Sequence, residues 1–243
     1  MLSERVLDRI VSATDVHERS GVDGGPLLSA GDISSTVGVM RVFEGAATSA
    51  ISQVVWTKLH VAARGVTTCM IFAFTRPESA IPHFTLDCSD HGNGGHAFHL
   101  DLAPRAELAT HLEYMDACFE PLTPLFAQAA VIEGLSATST TRRQFAMMSP
   151  WMLVHLATAD AFTAIDPVVD GYVEHWVDLV GSGIGSDIAA TLGDTDLAAR
   201  DARFRSNLFN PSVDPVWGRV DAMIGSEAAA VMRGTLQGTY APS

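Results

Sequence analysis

The spacing of hydrophobic and polar positions changes character twice along the chain. Residues 4–12 place Val6, Ile10 and Val11 at helical intervals, which predicts a short amphipathic opening helix. Residues 14–35 are rich in Gly, Ser and Asp and read as loop. From residue 36 the period becomes two. TVGVMRVFEG (36–45) and ISQVVWTKLHVAA (51–63) carry the β-branched and aromatic residues of strands. After the turn at 63–65 comes VTTCMIFAFT (66–75), then the loop RPESAIP and HFTLDCSD (83–90). The turn HGNGG returns the chain through HAFHLDL (96–102). Five successive strands with connections too short for crossover helices predict an antiparallel sheet.

Beyond Pro104 the period lengthens. RAELATHLEYMDACFEPL reads as a helix ending near Pro121, and residues 140–158 fit either a last strand or a helix. Residues 162–181 put Phe162, Ile165, Val168, Val169, Tyr172, Val173, Trp176, Leu179 and Val180 on one broad apolar helix face. GSGIGS (181–186) then reads as a helix C-cap and loop. Two or three more helices are predicted between 186 and 237, with Asp214-Pro215 as an N-cap and first-turn pair. A sheet followed by helices predicts one α+β domain over residues 1–243, strand-rich at 36–104 and helix-rich at 105–238.

Composition narrows the function classes. Apolar residues make up 47% and charged residues 18% of the 243, enough for a core and too little charge for a disordered tail. A net charge of −13 argues against a chain-wide hold on nucleic acid or anionic membrane. No apolar run approaches a membrane span and no signal-peptide core opens the chain, so the expected setting is cytoplasmic. Cys69, Cys88 and Cys118 form no CxxC pair and leave one over if two were bridged, the pattern of a reduced protein with packing cysteines.

Side-chain facing follows from the hairpins. A first turn centred on Arg64 sets Lys58 opposite Met70, His60 opposite Thr68 and Trp56 opposite Phe72, all on one face. In the next strand His83, Thr85, Asp87 and Ser89 share a face, and a turn centred near 92–93 sets Asp87 opposite Phe98. A slip of one residue would reverse every face. Lys58 is the only lysine; the other fourteen basic residues are arginines. Inside an apolar strand it reads as a Schiff-base former or a cation for an acidic substrate group, or as a lysine snorkelling at a sheet edge. Asp87, a poor strand former in mid-strand, reads as a general acid raised by burial or as a cap for the turn that follows. Four of nine histidines (His83, His91, His96, His99) lie within seventeen residues, but His96 and His99 point to opposite faces, so no metal site is expected. Dinucleotide, P-loop and nucleophile-elbow motifs are absent.

The stretch VVWTKLHVAARGVTTCMIFAFTRPESAIPHFTLDCSDHGNGGHAFHLDLAP resembles the ferredoxin-dependent bilin reductases and red chlorophyll catabolite reductase. Pro82, Phe84 and Asp87 match a Pro-x-Phe-x-x-Asp strand, and Asp101, Leu102 and Pro104 an Asp-Leu-x-Pro strand end. AARDARFRSNLFNPSVDPVWGRVDAMIG is similar to the family's C-terminal helices, with Asp201, Arg205 and Trp217 matching in order. The resemblance implies a three-layer α/β/α sandwich with a central antiparallel sheet and a linear tetrapyrrole held between sheet and C-terminal helices. It implies reduction by sequential electron and proton transfer, electrons coming from reduced ferredoxin with no bound cofactor. Asp87 falls on the family's central proton donor and Asp201 on a second aspartate; Lys58 completes the expected catalytic set. Trp56, His60, Met70, Phe72, Thr85, His83, Phe98 and Arg205 are expected to contact substrate. Two departures stand out: Lys58 and Met70 occupy positions read as a glutamate and a histidine in relatives that make phycocyanobilin, and methionine donates no proton. Ferredoxins are acidic and dock on basic patches, which Arg142, Arg143 and the arginines at 200–205 would have to supply. The alternatives are a non-redox enzyme of secondary metabolism using Lys58 and Asp87 for acid–base or Schiff-base chemistry, and a bilin-binding protein without turnover.

Overall fold

The period-two segments fold as consecutive antiparallel strands in the computed structural model, which describes residues 1–21, 24–31, 36–138 and 140–240. These strands are β3 (Thr36–Gly45), β4 (Ile51–Val61), β5 (Val66–Thr75), β6 (His83–Asp90) and β7 (Gly95–Ala103). Two short strands, β1 (Val16–Arg19) and β2 (Leu28–Gly31), both pair with β3, and β8 (Leu135–Ala137) and β9 (Leu153–Thr158) extend the sheet beyond β7. Every pairing is antiparallel, in the order β1-β3-β4-β5-β6-β7-β9-β8.

Two expectations are corrected and one left open is resolved. The loop expected over 14–35 contains β1 and β2; its residues 22, 23 and 32–35 lie outside the described residues. β1 is a short edge strand whose Glu18 takes both arms of the Arg41 guanidinium of β3 at 2.7 and 2.8 Å, a tertiary tie that residue spacing does not reveal. The helix expected from 105 begins at Leu112, because Arg105 is drawn into the interior. Its backbone N–H donates to the Tyr114 hydroxyl (3.0 Å) and its guanidinium reaches the carbonyls of Arg76 and Pro77. The ambiguous segment 140–158 holds both a helical turn, α4 (Arg142–Phe145), and β9.

Each face of the sheet has its own helical cover. Val54, Trp56, Cys69, Ile71, Phe84, Leu86, Cys88, Phe98 and Leu100 pack with α1 (Leu2–Ala13), α2 (Leu112–Cys118), α3 (Thr123–Ala130), α5 (Ala159–Ala164) and α6 (Asp166–Ser182). Trp176 of α6 is fully buried against Phe84 and donates its indole N–H to the Pro82 carbonyl at 2.9 Å. After α7 (Ser186–Thr191), the helices α8 (Leu197–Leu208), α9 (Val216–Ile224) and α10 (Ser226–Gln237) cover the other face. There Leu208, Phe209, Trp217, Val220, Met232 and Leu236 meet Met40, Val42, Val55, Leu59, Phe72 and Phe74. Burying such side chains stabilises by about 1.5–3 kcal/mol each. The result is an α/β/α sandwich, as the resemblance implied. Among the described residues no helix is long and apolar enough to cross a membrane.

Candidate functional site

The register decides which side chains share the face under α8–α10. Asp87 lies between Met70 of β5 and His99 of β7, and Thr85 between Phe72 and Asp101. Met70 in turn faces Thr57, not Lys58. The loop of the β4–β5 hairpin is Ala62–Gly65, with Gly65 left-handed at φ 59° and its N–H donating to the Ala62 carbonyl. That centres the turn half a residue earlier than Arg64 and shifts the pairing by one.

The consequence is a correction to the expected site. Lys58, Trp56 and His60 are on the opposite face from Asp87. Lys58 pairs with Glu4 of α1 (Nζ–Oε1 3.1 Å), Trp56 is buried in the α1-side core, and His60 Nδ1 lies 2.8 Å from Thr67 Oγ1. Phe98 also belongs to the far face, opposite Cys88, and His99 holds the place beside Asp87 expected for it. Lys58 and Asp87 therefore cannot act on one substrate from one cleft. The structure does bring together Met70, Phe72, His83, Thr85, Asp87, Asp201 and Arg205 on the α8–α10 side, together with His99, Asp101 and Asp214.

At the β6 start the site is sealed. The Thr75 backbone N–H donates to His83 Nδ1 (3.0 Å), so the ring's proton is on Nε2, which donates to Asp201 Oδ1 of α8 at 2.7 Å. Arg105 Nη1 stands 3.5 Å from the same oxygen. Burial drives the His83 pKa down to about 4, against the pull of Asp201, so the imidazole is neutral. Burial opposes charge on Asp201 too, but the His83 hydrogen bond and the Arg105 and Arg205 charges outweigh it and hold the carboxyl below its ordinary value. Arg205 is buried and two of its three nitrogens are engaged: Nε reaches the Leu236 carbonyl (2.7 Å), and Nη2 the Thr235 carbonyl (3.2 Å) and Gln53 Oε1 (3.3 Å). It closes the C-terminus of α10, where Gly238 has φ 73° and a Cβ would come 3.1 Å from the guanidinium carbon. Its guanidinium also lies over Phe74, 3.8 Å from the ring centroid.

The other end of β6 is open. The Asp87 side chain is 46% exposed, and its Oδ2 lies 3.7 Å from His99 Nδ1. Burial works against a charged His99, yet Asp87, Asp101 and Asp214 around it prevail and raise its pKa. Asp101 is wholly buried; Ser149 donates to it from its backbone N–H (2.9 Å) and its hydroxyl (2.5 Å), and burial still pushes it up to about 7. Asp214 is raised by burial, with the Asp87 charge adding, although its Oδ1 accepts the Val216 N–H at the start of α9 (3.0 Å). His99 Nε2 is buried here, and Trp217 Nε1 in the core under α9; neither has a hydrogen-bond partner among the described residues. An unmet buried polar group costs about 1–3 kcal/mol. Three acids and an imidazole with one unspent nitrogen make a place that can hold and pass protons.

The sequence reading missed His99, Asp101 and Asp214 as site residues. The signal for His99 was present: pairing about residue 93, not 92.5, sets it opposite Asp87. Asp101 and Asp214 had been read only as a strand-end motif and a helix cap.

No protein-family model and no curated protein sequence matches the chain. The fold is nonetheless one seen before. The crystal structure of phytochromobilin synthase from tomato in complex with biliverdin superposes with a TM-score of 0.75 at 16% identity, covering 98% of this chain and 82% of that one. At that identity the likeness is one of fold.

Proposed function

We propose that the chain binds a bilin, or a comparable conjugated metabolite, between the sheet and α8–α10. We further propose that it reduces this molecule by alternating electron and proton transfers, with reduced ferredoxin as electron donor and no cofactor of its own. The observation that carries this reading is the cluster of Asp87, His99 and Asp101 on that face, where His99 Nε2 is buried without a hydrogen-bond partner among the described residues. The fold shared with a biliverdin-bound synthase adds to it. Once an electron enters a conjugated tetrapyrrole, the radical anion needs a proton from a group at its edge. Asp87 presents a carboxyl at the open end of the cluster. His99 stands behind it to return the proton, and Asp101, poised near neutrality, is the reserve. Asp201 holds His83 in one tautomer and fixes the inner wall. Of the basic residues named for ferredoxin, Arg142, Arg143 and Arg203 are exposed, whereas Arg205 is buried and does not contribute.

The test is spectroscopic. Biliverdin added to the purified protein should give a red-shifted, sharpened band that bleaches with reduced ferredoxin. Asp87→Asn should keep the band, with affinity within about tenfold, or about 1.4 kcal/mol, and lose the bleaching. Full reduction by Asp87→Asn would end the acid role of Asp87. A wild-type band that never bleaches would leave a bilin-binding protein without turnover.

A further inference from the structure

The back of the sheet carries a second chemical cluster, independent of the Asp87 site. Cys69 of β5 and Cys88 of β6 face each other across the strands, and both are buried. Directly opposed residues on antiparallel strands have Cα atoms about 4.5–5.5 Å apart, within the ~4.4–6.8 Å span of disulfides. The strand spacing is therefore compatible with a bridge between them. Met1 Sδ lies 3.9 Å from Cys69 Sγ, and the Ser3 hydroxyl beside them is buried without a hydrogen-bond partner among the described residues. A crevice of about 60 Å³, lined by Met1, Leu2, Thr67, Cys88, Ser89 and Phe162 among others, reaches the pair at Cys88. A water takes up about 30 Å³ in the liquid, so the crevice admits a molecule of two heavy atoms and excludes a peptide disulfide.

We propose that Cys69 and Cys88 form a peroxide-oxidised dithiol, a reversible modification site on the reverse side of the strands that carry Met70 and Asp87. Cys69 is the attacking sulfur. Cys88 beside it holds its thiol below the ordinary value against burial, with the Lys58 charge adding. The same neighbour, with burial, raises Cys88. The Cys69 thiolate attacks one peroxide oxygen, the O–O bond breaks, and the leaving hydroxide takes up the thiol proton as water. The Cys88 thiol then displaces the hydroxyl of the sulfenic acid. An S–S bond forms, the S–O bond breaks, and a second water leaves with the Cys88 proton. Two thiols have given two electrons to one peroxide. Cys118, in the core at the end of α2, is raised by burial to about 12 and stays outside this chemistry.

The experiment treats the whole protein with a few equivalents of hydrogen peroxide, quenches with catalase, alkylates in denaturant and weighs the product. The wild type should lose two of its three alkylatable thiols, fall in mass by two hydrogens, yield a peptide joining positions 69 and 88, and recover with dithiothreitol. Cys88→Ser, repeated as Cys88→Ala, should trap a dimedone adduct on Cys69, and Cys69→Ser should trap none on Cys88. Three free thiols after peroxide, oxidation confined to Cys118 or methionine, or an adduct on Cys88 in place of Cys69 would each overturn the proposal. The readout is a mass, so its outcome does not depend on whether the chain binds a bilin.

Discussion

His83 and Asp87 lie on the same face of the same strand, four residues and so about 13 Å apart, yet their surroundings work in opposite directions. At His83 both ring nitrogens are met by protein, Thr75 on one and Asp201 on the other, with Arg105 beside the carboxylate. The result is a neutral imidazole and a charged acid, fixed and dry. At Asp87 the groups are crowded but unspent: a half-exposed carboxyl, a histidine with one idle nitrogen, and a buried Asp101 near neutrality. The first end is built to hold shape. The second leaves titratable groups unpaired and open to solvent, and the difference arises from which helix covers it: α8 brings charge partners onto His83, whereas the start of α9 brings another acid, Asp214, toward Asp87.

Breaking the sealed end should have the largest effect. Asp201→Ala leaves Arg105 as a buried cation without its carboxylate and His83 without its acceptor, and loss of one partner of a buried pair costs about 3–5 kcal/mol. Urea unfolding at pH 7 should show that loss. A midpoint shift worth less than about 1 kcal/mol would mean that water already enters this end.

The two ends should also oppose each other in pH dependence. His83 has its folded pKa depressed to about 4, so its contribution is present above the unfolded value near 6.5 and is lost as pH falls through 4. Asp101 has its folded pKa raised to about 7. Its contribution is present below the unfolded value near 3.9 and is lost as pH rises through 7. Each spans on the order of 3 kcal/mol, and between pH 4.5 and 6.5 they offset one another. Asp101→Asn should therefore make the protein gain stability with rising pH in that window, and His83→Gln should make it lose stability. Equal slopes in the two variants, read from unfolding midpoints, would show that the ends do not differ in the way described.

Asp87→Asn should act more gently on the fold. The side chain is nearly half exposed, so stability should move by less than about 1 kcal/mol. The His99 pKa, followed by NMR titration, should fall because the nearest of the acids that raise it has lost its charge. An unchanged His99 titration would place the origin of its raised pKa in Asp101 and Asp214 alone.

Much of this arrangement is legible in the chain. The alternation over 36–102 locates five strands almost to the residue, and His83, Thr85 and Asp87 at intervals of two must share a face. Strand pairing is harder to read, because one face is distinguished from the other only by the turn. Counting Ala62 into the β4–β5 loop with residues 63–65 would have put Thr57 and not Lys58 on the Asp87 side. Arg105 is invisible for another reason. Its partners Thr75, Arg76, Pro77 and Asp201 come from β5, the following loop and α8, and no local pattern records them. The role of Arg205 as closure of α10 likewise depends on carbonyls thirty residues downstream.

The smallest expected effect tests the sidedness of the sheet itself. Lys58 is the sole lysine and sits mid-strand, which made it an attractive partner for Asp87. Its side chain instead emerges on the α1 face and meets Glu4, with about a third of it exposed. An ion pair with that much solvent contributes about 0–1 kcal/mol. Lys58→Met should thus lower stability by less than about 1 kcal/mol, and the methionine can keep the aliphatic packing of the stem. Glu4, whose carboxyl the Lys58 hydrogen bond holds below its ordinary value, should titrate higher in the variant. Biliverdin affinity and the His99 titration should not move, since a whole sheet separates this residue from the Asp87 cluster. A tenfold loss of biliverdin binding in Lys58→Met, with folding intact, would mean that the ligand lies on the α1 face. The acid cluster under α8–α10 would then serve some other purpose.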